Sequence, residues 1–83
     1  GKGIITHAVR YLCQWAVCKR NINRIQIRCA VENHPSNAIP KRLGFTLEGT
    51  ERDGELLVSG EYVDTNVYSI LKKEIEQWNR KSN

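Results

Sequence analysis

The chain has 83 residues, 40% hydrophobic and 27% charged, with a net charge of +4. That is room for one small domain of ordinary globular composition, burying only roughly 60–65% of its unfolded surface. No apolar run approaches the ~18 residues of a membrane span, and nothing at the start reads as a secretory leader.

The positive charge leaves three readings open: nucleic acid, a polyanionic small ligand, or a solvated basic surface. Lys and Arg are dispersed along the chain, which disfavours nucleic acid. Cys13, Cys18 and Cys29 form no Cys-x-x-Cys pair and no His/Cys cluster, so no metal site is expected. Cys13 and Cys29 fall on apolar faces and read as small core residues of a protein in a reducing cytoplasm.

In chain order, Gly1-Lys2-Gly3 is a glycine-flanked turn that opens into an amphipathic helix. Glycines let a backbone approach a ligand closely, and a helix start offers unpaired N–H groups and the positive end of its dipole. Such a start suits a phosphate, although glycines also serve ordinary turns. The helix is expected from about Gly3 to Lys19. Ile5, Ala8, Val9, Leu12, Cys13 and Ala16 form its buried stripe. Asn21 to Asn23 break the pattern.

Arg24 to Val31 alternate strictly and read as a strand, with Ile25, Ile27, Cys29 and Val31 on one face. A helix leading to a strand implies a βαβ unit whose first strand precedes Gly1. The chain is therefore expected to be a fragment, or the remainder of a longer domain. After a polar loop, a short helix should start near Ser36 or Asn37, with Pro40 in its first turn and Gly44 as its stop. From Phe45 the pattern is β. Phe45 and Leu47 alternate with Thr46 and Glu48, and Asp53-Gly54 is a strong hairpin signal. Strand continues over Glu55 to Val58 and Glu61 to Leu71, with Val63, Val67 and Leu71 opposing Asp64, Asn66 and Tyr68. A charged helix, Lys72 to Arg80, is anchored by Ile75 and Trp78.

Gly-Lys-Gly-Ile, a helix, a strand ending in Glu-Asn, and the run Ser36 to Gly49 together resemble the GNAT superfamily of acetyl-CoA-dependent N-acetyltransferases. Asn-x-x-Ser-Asn, Leu-Gly-Phe-x-x-Glu-Gly, Tyr62-Val63-Asp64 and Val67-Tyr68-Ser69 are similar to its RimJ/RimL branch, which acetylates ribosomal-protein N-termini. The resemblance covers the whole chain but only the C-terminal half of the family's domain. It implies a mixed α/β sheet with helices on both faces: helix, strand, helix, β-hairpin strands, short C-terminal helix. It also implies transfer of an acetyl group from acetyl-CoA to an amine, in this branch a protein α-amino group, with no metal.

Residue by residue, the family seats the coenzyme A pyrophosphate on a Gln/Arg-x-x-Gly-x-Gly/Ala turn. Gly3 matches the first glycine, and Ile5 stands where Gly or Ala is usual. The Gln/Arg position falls before Gly1. The resemblance thus implies that the amides of Lys2, Gly3, Ile4 and Ile5 cradle phosphates. It places Asn33 and Asn37 against the pantetheine arm, Ser36 as general acid and Glu55 as general base. Each has a plainer reading: Asn33 and Asn37 as loop and cap residues, Ser36 as an N-cap, Glu55 as a solvated hairpin charge. Asp64, Tyr68 and Glu48 read as structural supports, and His7 and His34 as surface residues. Two other readings stand beside the enzyme. One is a non-catalytic, truncated C-terminal half that folds only by pairing with another copy, as a homodimer, or with its missing half. The other is a small basic RNA-binding module, for which Trp15 and Trp78 provide no aromatic platform.

Overall fold

The computed structural model describes residues 2–81, without the side chains of Lys2, Asn79, Arg80 and Lys81. Gly1, and with it the opening of the predicted glycine turn, lies outside the described residues. The elements are α1 (Lys2–Arg20), β1 (Arg24–Ala30), α2 (His34–Arg42), β2 (Thr46–Leu56), β3 (Tyr62–Leu71) and α3 (Lys72–Lys81). This is the expected order of helix, strand, helix, hairpin strands and C-terminal helix. The chain divides into two compact units, residues 1–25 with 70–83, and residues 26–69.

In the first unit, α1 is already helical at Lys2, where the sequence suggested a turn. Lys19 and Arg20 occupy its last turn, favourable against the negative end of the dipole. Asn21 closes it in the left-handed region at φ 53, a conformation asparagine tolerates better than most residues. The predicted buried stripe needs correcting. Cys13 is buried, Val9 and Ala16 are half-buried, but Ile5, Ala8 and Leu12 are exposed. At ~100° per residue, those three share a face with Ile4, Tyr11 and Trp15, turned away from Cys13. α1 is apolar over a wider arc than the arc this chain covers. In α3, Ile75 is buried as expected. Trp78 is half-buried and lies beneath the Arg10 guanidinium, 4.8 Å from the ring centroid. The Glu74 carboxylate accepts the Leu71 N–H at 2.9 Å and caps the helix start.

In the second unit, the strands lie in the order β1-β3-β2. β2 and β3 are antiparallel, in register from Thr46 opposite Ser69 to Leu56 opposite Tyr62. At the far end of β1, the Val31 N–H donates to the Asp64 carbonyl at 2.9 Å. β1 alternates as expected as far as Ala30: Ile25 and Ile27 are half-buried, Cys29 is buried, and Arg24, Gln26 and Arg28 are exposed. Val31, counted with the inner face, is exposed and past the strand end.

Asp53-Gly54 is not the hairpin turn. β2 runs straight through it as a bulge: the three residues between Glu51 and Glu55 face the single residue Asp64, between Thr65 and Val63 on β3. Asp53 has φ 52 and its N–H donates to the Asp64 carboxylate at 2.9 Å. Gly54 has to be glycine, because a Cβ there would collide with the Thr65 hydroxyl. The chain reverses further on, between Leu57 and Glu61. There Leu57 N–H donates to Glu61 O at 2.8 Å, Gly60 N–H donates to Leu57 O at 2.9 Å, and Gly60 has φ 94.

The predicted alternation on β3 gives way toward its C-terminal end, where Tyr68, Ser69 and Ile70 are successively buried. This is the central strand, covered on both faces, and a two-residue period fades in such a strand. Leu47, which alternates in step with Phe45, is exposed, while Phe45 is buried just before β2.

Candidate functional site

α2 starts two residues earlier than the sequence suggested. Asn33 is its N-cap, and the Asn33 carboxamide oxygen accepts the Ser36 N–H at 3.1 Å. The early proline is Pro35. Pro40 lies inside the helix near its end, not in its first turn. Lacking an N–H, Pro40 leaves the Ser36 carbonyl, four residues back, without its helical donor. The Cys29 thiol takes that place, donating to Ser36 O at 3.5 Å. Gly44 follows at φ 80, the expected helix stop.

Asn37, one turn into the helix, is 4% exposed. Its amide nitrogen donates to the carbonyls of Ala30 at 2.9 Å and Asn33 at 2.7 Å. Its oxygen accepts from Asn66 Nδ2 at 2.9 Å and the Tyr68 hydroxyl at 2.7 Å. Two donor hydrogens and two lone pairs are all a carboxamide has, so this side chain is fully engaged within the chain. Thr50 on β2 donates to the Asn66 oxygen at 2.7 Å and carries the network one strand further.

Ser36 presents a different picture. Its main chain is engaged on both sides, while its hydroxyl, half-buried, holds no hydrogen bond among the described residues. Glu55 is exposed on β2, directly after the bulge, opposite Val63. Val63, with Tyr62 and Asp64, forms one wall of a cleft of about 460 Å³ at the carboxyl end of β1, facing Val31 and Glu32. In the other unit, Gly3, Ile4 and Ile5 lie exposed in the first turn of α1, and a Cβ on Gly3 would meet nothing within 4 Å. The Lys2 side chain is outside the described residues.

Supports read from the sequence hold. The Ser69 hydroxyl donates to the Glu48 carboxylate at 2.8 Å, Asp64 accepts from the bulge, and Tyr68 is 1% exposed under α2. His7 and His34 are exposed. Burial pushes the thiols of Cys13 and Cys29 above the ordinary value. Sequence reasoning missed Asn66 and Thr50 as network members. The only signal was a run of polar residues inside strands, which equally suits a solvated face.

Residues 1–46, more than half of the chain, match the family model described as the acetyltransferase (GNAT) domain. The chain belongs to this family. It is 49% identical over 76 residues to the putative ribosomal N-acetyltransferase YdaF of Bacillus subtilis (strain 168), covering 92% of this chain and 41% of that protein. Among solved structures, it resembles microcin C7 self-immunity acetyltransferase MccE in complex with acetyl-CoA and AMP. That match has 42% identity and a TM-score of 0.78, covering 86% of this chain and 39% of the other. It also resembles RimL, the ribosomal L7/L12 alpha-N-protein acetyltransferase, in complex with coenzyme A. There the identity is 37% and the TM-score 0.78, over 86% of this chain and 40% of the other. The chain thus spans about two fifths of the length of the relatives it matches.

Proposed function

We propose that residues 1–83 are the C-terminal half of a single GNAT domain that moves an acetyl group from acetyl-CoA to an amine, in the cytoplasm. The acceptor we favour is a protein N-terminal α-amino group, on a ribosomal protein. The observation that carries the reading is the Ser36 hydroxyl, unengaged among the described residues at the start of α2, in a family member whose relatives are solved with acetyl-CoA and coenzyme A.

The chemistry follows from the residues. Glu55 takes a proton from the attacking amine, directly or through water. The amine nitrogen bonds to the thioester carbonyl carbon, the C–S bond breaks, and the Ser36 hydroxyl gives its proton to the departing thiolate. The amides of Lys2, Gly3, Ile4 and Ile5 hold phosphate oxygens at the start of α1. A glycine inside a helix costs ~1 kcal/mol against alanine. Among the described residues no contact calls for one at Gly3, which supports a ligand passing close to its backbone. Asn33 keeps its Nδ2 hydrogens for the pantetheine arm while its oxygen caps α2.

The test is steady-state acetyl transfer by the full-length protein. Ser36→Ala and Glu55→Gln should each lower kcat by ~10²-fold or more. Unchanged turnover in either variant removes that residue from the mechanism. The second reading, a non-catalytic piece that pairs with another copy, draws support from β1, which among the described residues pairs only with β3.

A further inference from the structure

We infer that Asn37 is a positioning residue for acyl transfer, acting through Ser36, and not a contact to the coenzyme. The inference rests on the proposed roles of Ser36 and Glu55 and adds a part to them. Every hydrogen-bonding position of the Asn37 carboxamide is taken inside the chain.

The partners are what make it more than a core residue. Ala30 is the last residue of β1, and Asn33 is the cap of the helix that carries Ser36. Main-chain bonds already link these points: Asn33 N–H to Ala30 O at 3.0 Å, and Asn37 N–H to Asn33 O at 3.1 Å. Asn37 places a second donor on each of the same two carbonyls. The bend from strand to helix is thereby fixed at both ends by one rigid planar group. From its oxygen, the network passes through Asn66 to Thr50 on β2, the strand that also bears Glu55. Asn37 is therefore the shared member linking the backbone that presents Ser36 to the strand that presents Glu55.

The chemistry requires an amide. Aspartate has the same shape but, when ionised, no donor. It would leave the Ala30 and Asn33 carbonyls with one donor fewer and bury a charge. Its burial would also hold the carboxyl protonated to higher pH than usual.

The experiment is a double-mutant cycle on kcat in the full-length protein, crossing Asn37→Asp with Ser36→Ala, each variant checked as folded by its thermal melt. Acting through Ser36, Asn37→Asp lowers kcat by ~10-fold or more with Ser36 present and has little further effect in Ser36→Ala. Its activity also falls as pH rises and the new carboxyl ionises. Equal losses in both backgrounds overturn the inference, since a merely structural role is additive. An unchanged kcat in Asn37→Asp overturns it too. Should Asn37→Asp not fold, Tyr68→Phe replaces it in the same cycle, removing one bond to the Asn37 oxygen without changing volume much. Wild-type acetyl transfer with additive losses sinks only the Asn37 role. Turnover unaffected by Ser36→Ala sinks the Ser36 assignment and this inference together.

Discussion

Gly54 and the three cysteines show how much a single residue's surroundings decide. Gly54 faces the Thr65 hydroxyl so closely that a methyl group has nowhere to go, and Thr65 is itself buried, with its hydroxyl donating to Glu51 at 3.3 Å. Gly54→Ala should therefore cost ~1–3 kcal/mol in urea melts, the usual range for overpacking. Thr65→Ala in the same chain should recover part of that loss. A strictly additive pair would mean the clash is not the cause. Among the thiols, Cys18 is exposed while Cys13 and Cys29 are buried and held protonated by that burial. Iodoacetamide should label the exposed Cys18 first and the two buried thiols only after unfolding. Peptide mapping of the labelled chain reads this directly. The sign for stability follows. A raised thiol pKa favours the folded state below its ordinary value of 9.0 and loses that contribution as pH climbs above it.

At the scale of elements, sequence reading did well where one physical signal dominated. α1 ended where Asn21 was expected to end it, β1 alternated as read as far as Ala30, and Gly44 stopped α2. It failed where two signals competed. Asp53-Gly54 carries the chemistry of a hairpin, but a bulge also accepts a positive φ followed by a glycine. Only the pairing partner distinguishes the two, and Thr65 lies eleven residues on. Pro40 looked like a helix start because proline inside a helix normally removes a bond. The thiol that answers the freed Ser36 carbonyl comes from Cys29 on another element, beyond the reach of local pattern. The Asn33 cap was hidden for a local reason, since Ser36 fits the N-cap preference equally well. The coenzyme contact proposed for Asn33, beside its cap, gives a separable prediction. Asn33→Ala should lose the cap and cost about 1 kcal/mol of stability. Asn33→Asp keeps an oxygen for the Ser36 N–H but has no amide donor. It should melt like the wild type and bind acetyl-CoA more weakly, as isothermal titration would show. Equal affinity in Asn33→Asp would place the Asn33 amide outside the coenzyme site.

For the molecule as a whole, the family was legible because the run from Asn33 to Gly49 combines cap, helix stop and strand in a fixed order. The coverage of α1 was not legible. Its apolar residues are spread over a wide arc, and periodicity alone does not say which part of the arc meets a neighbour. Ile4, Tyr11 and Trp15 are exposed here beside Ile5 and Leu12. An 83-residue chain with so much apolar surface in water has little stability to spare, so a ligand held by the native state alone should show plainly in its melt. Acetyl-CoA at 100 times its Kd adds about 2.7 kcal/mol. For a chain of this size each kcal/mol raises the midpoint by ~4–8 °C. The chain should therefore melt ~10–20 °C higher with saturating acetyl-CoA. Ser36→Ala, which in the proposed mechanism touches only the proton transfer, should shift as far as the wild type, whereas Asn33→Asp should shift less. A cooperative melt that stays in place with acetyl-CoA would remove coenzyme binding from these residues alone and assign it to the longer protein.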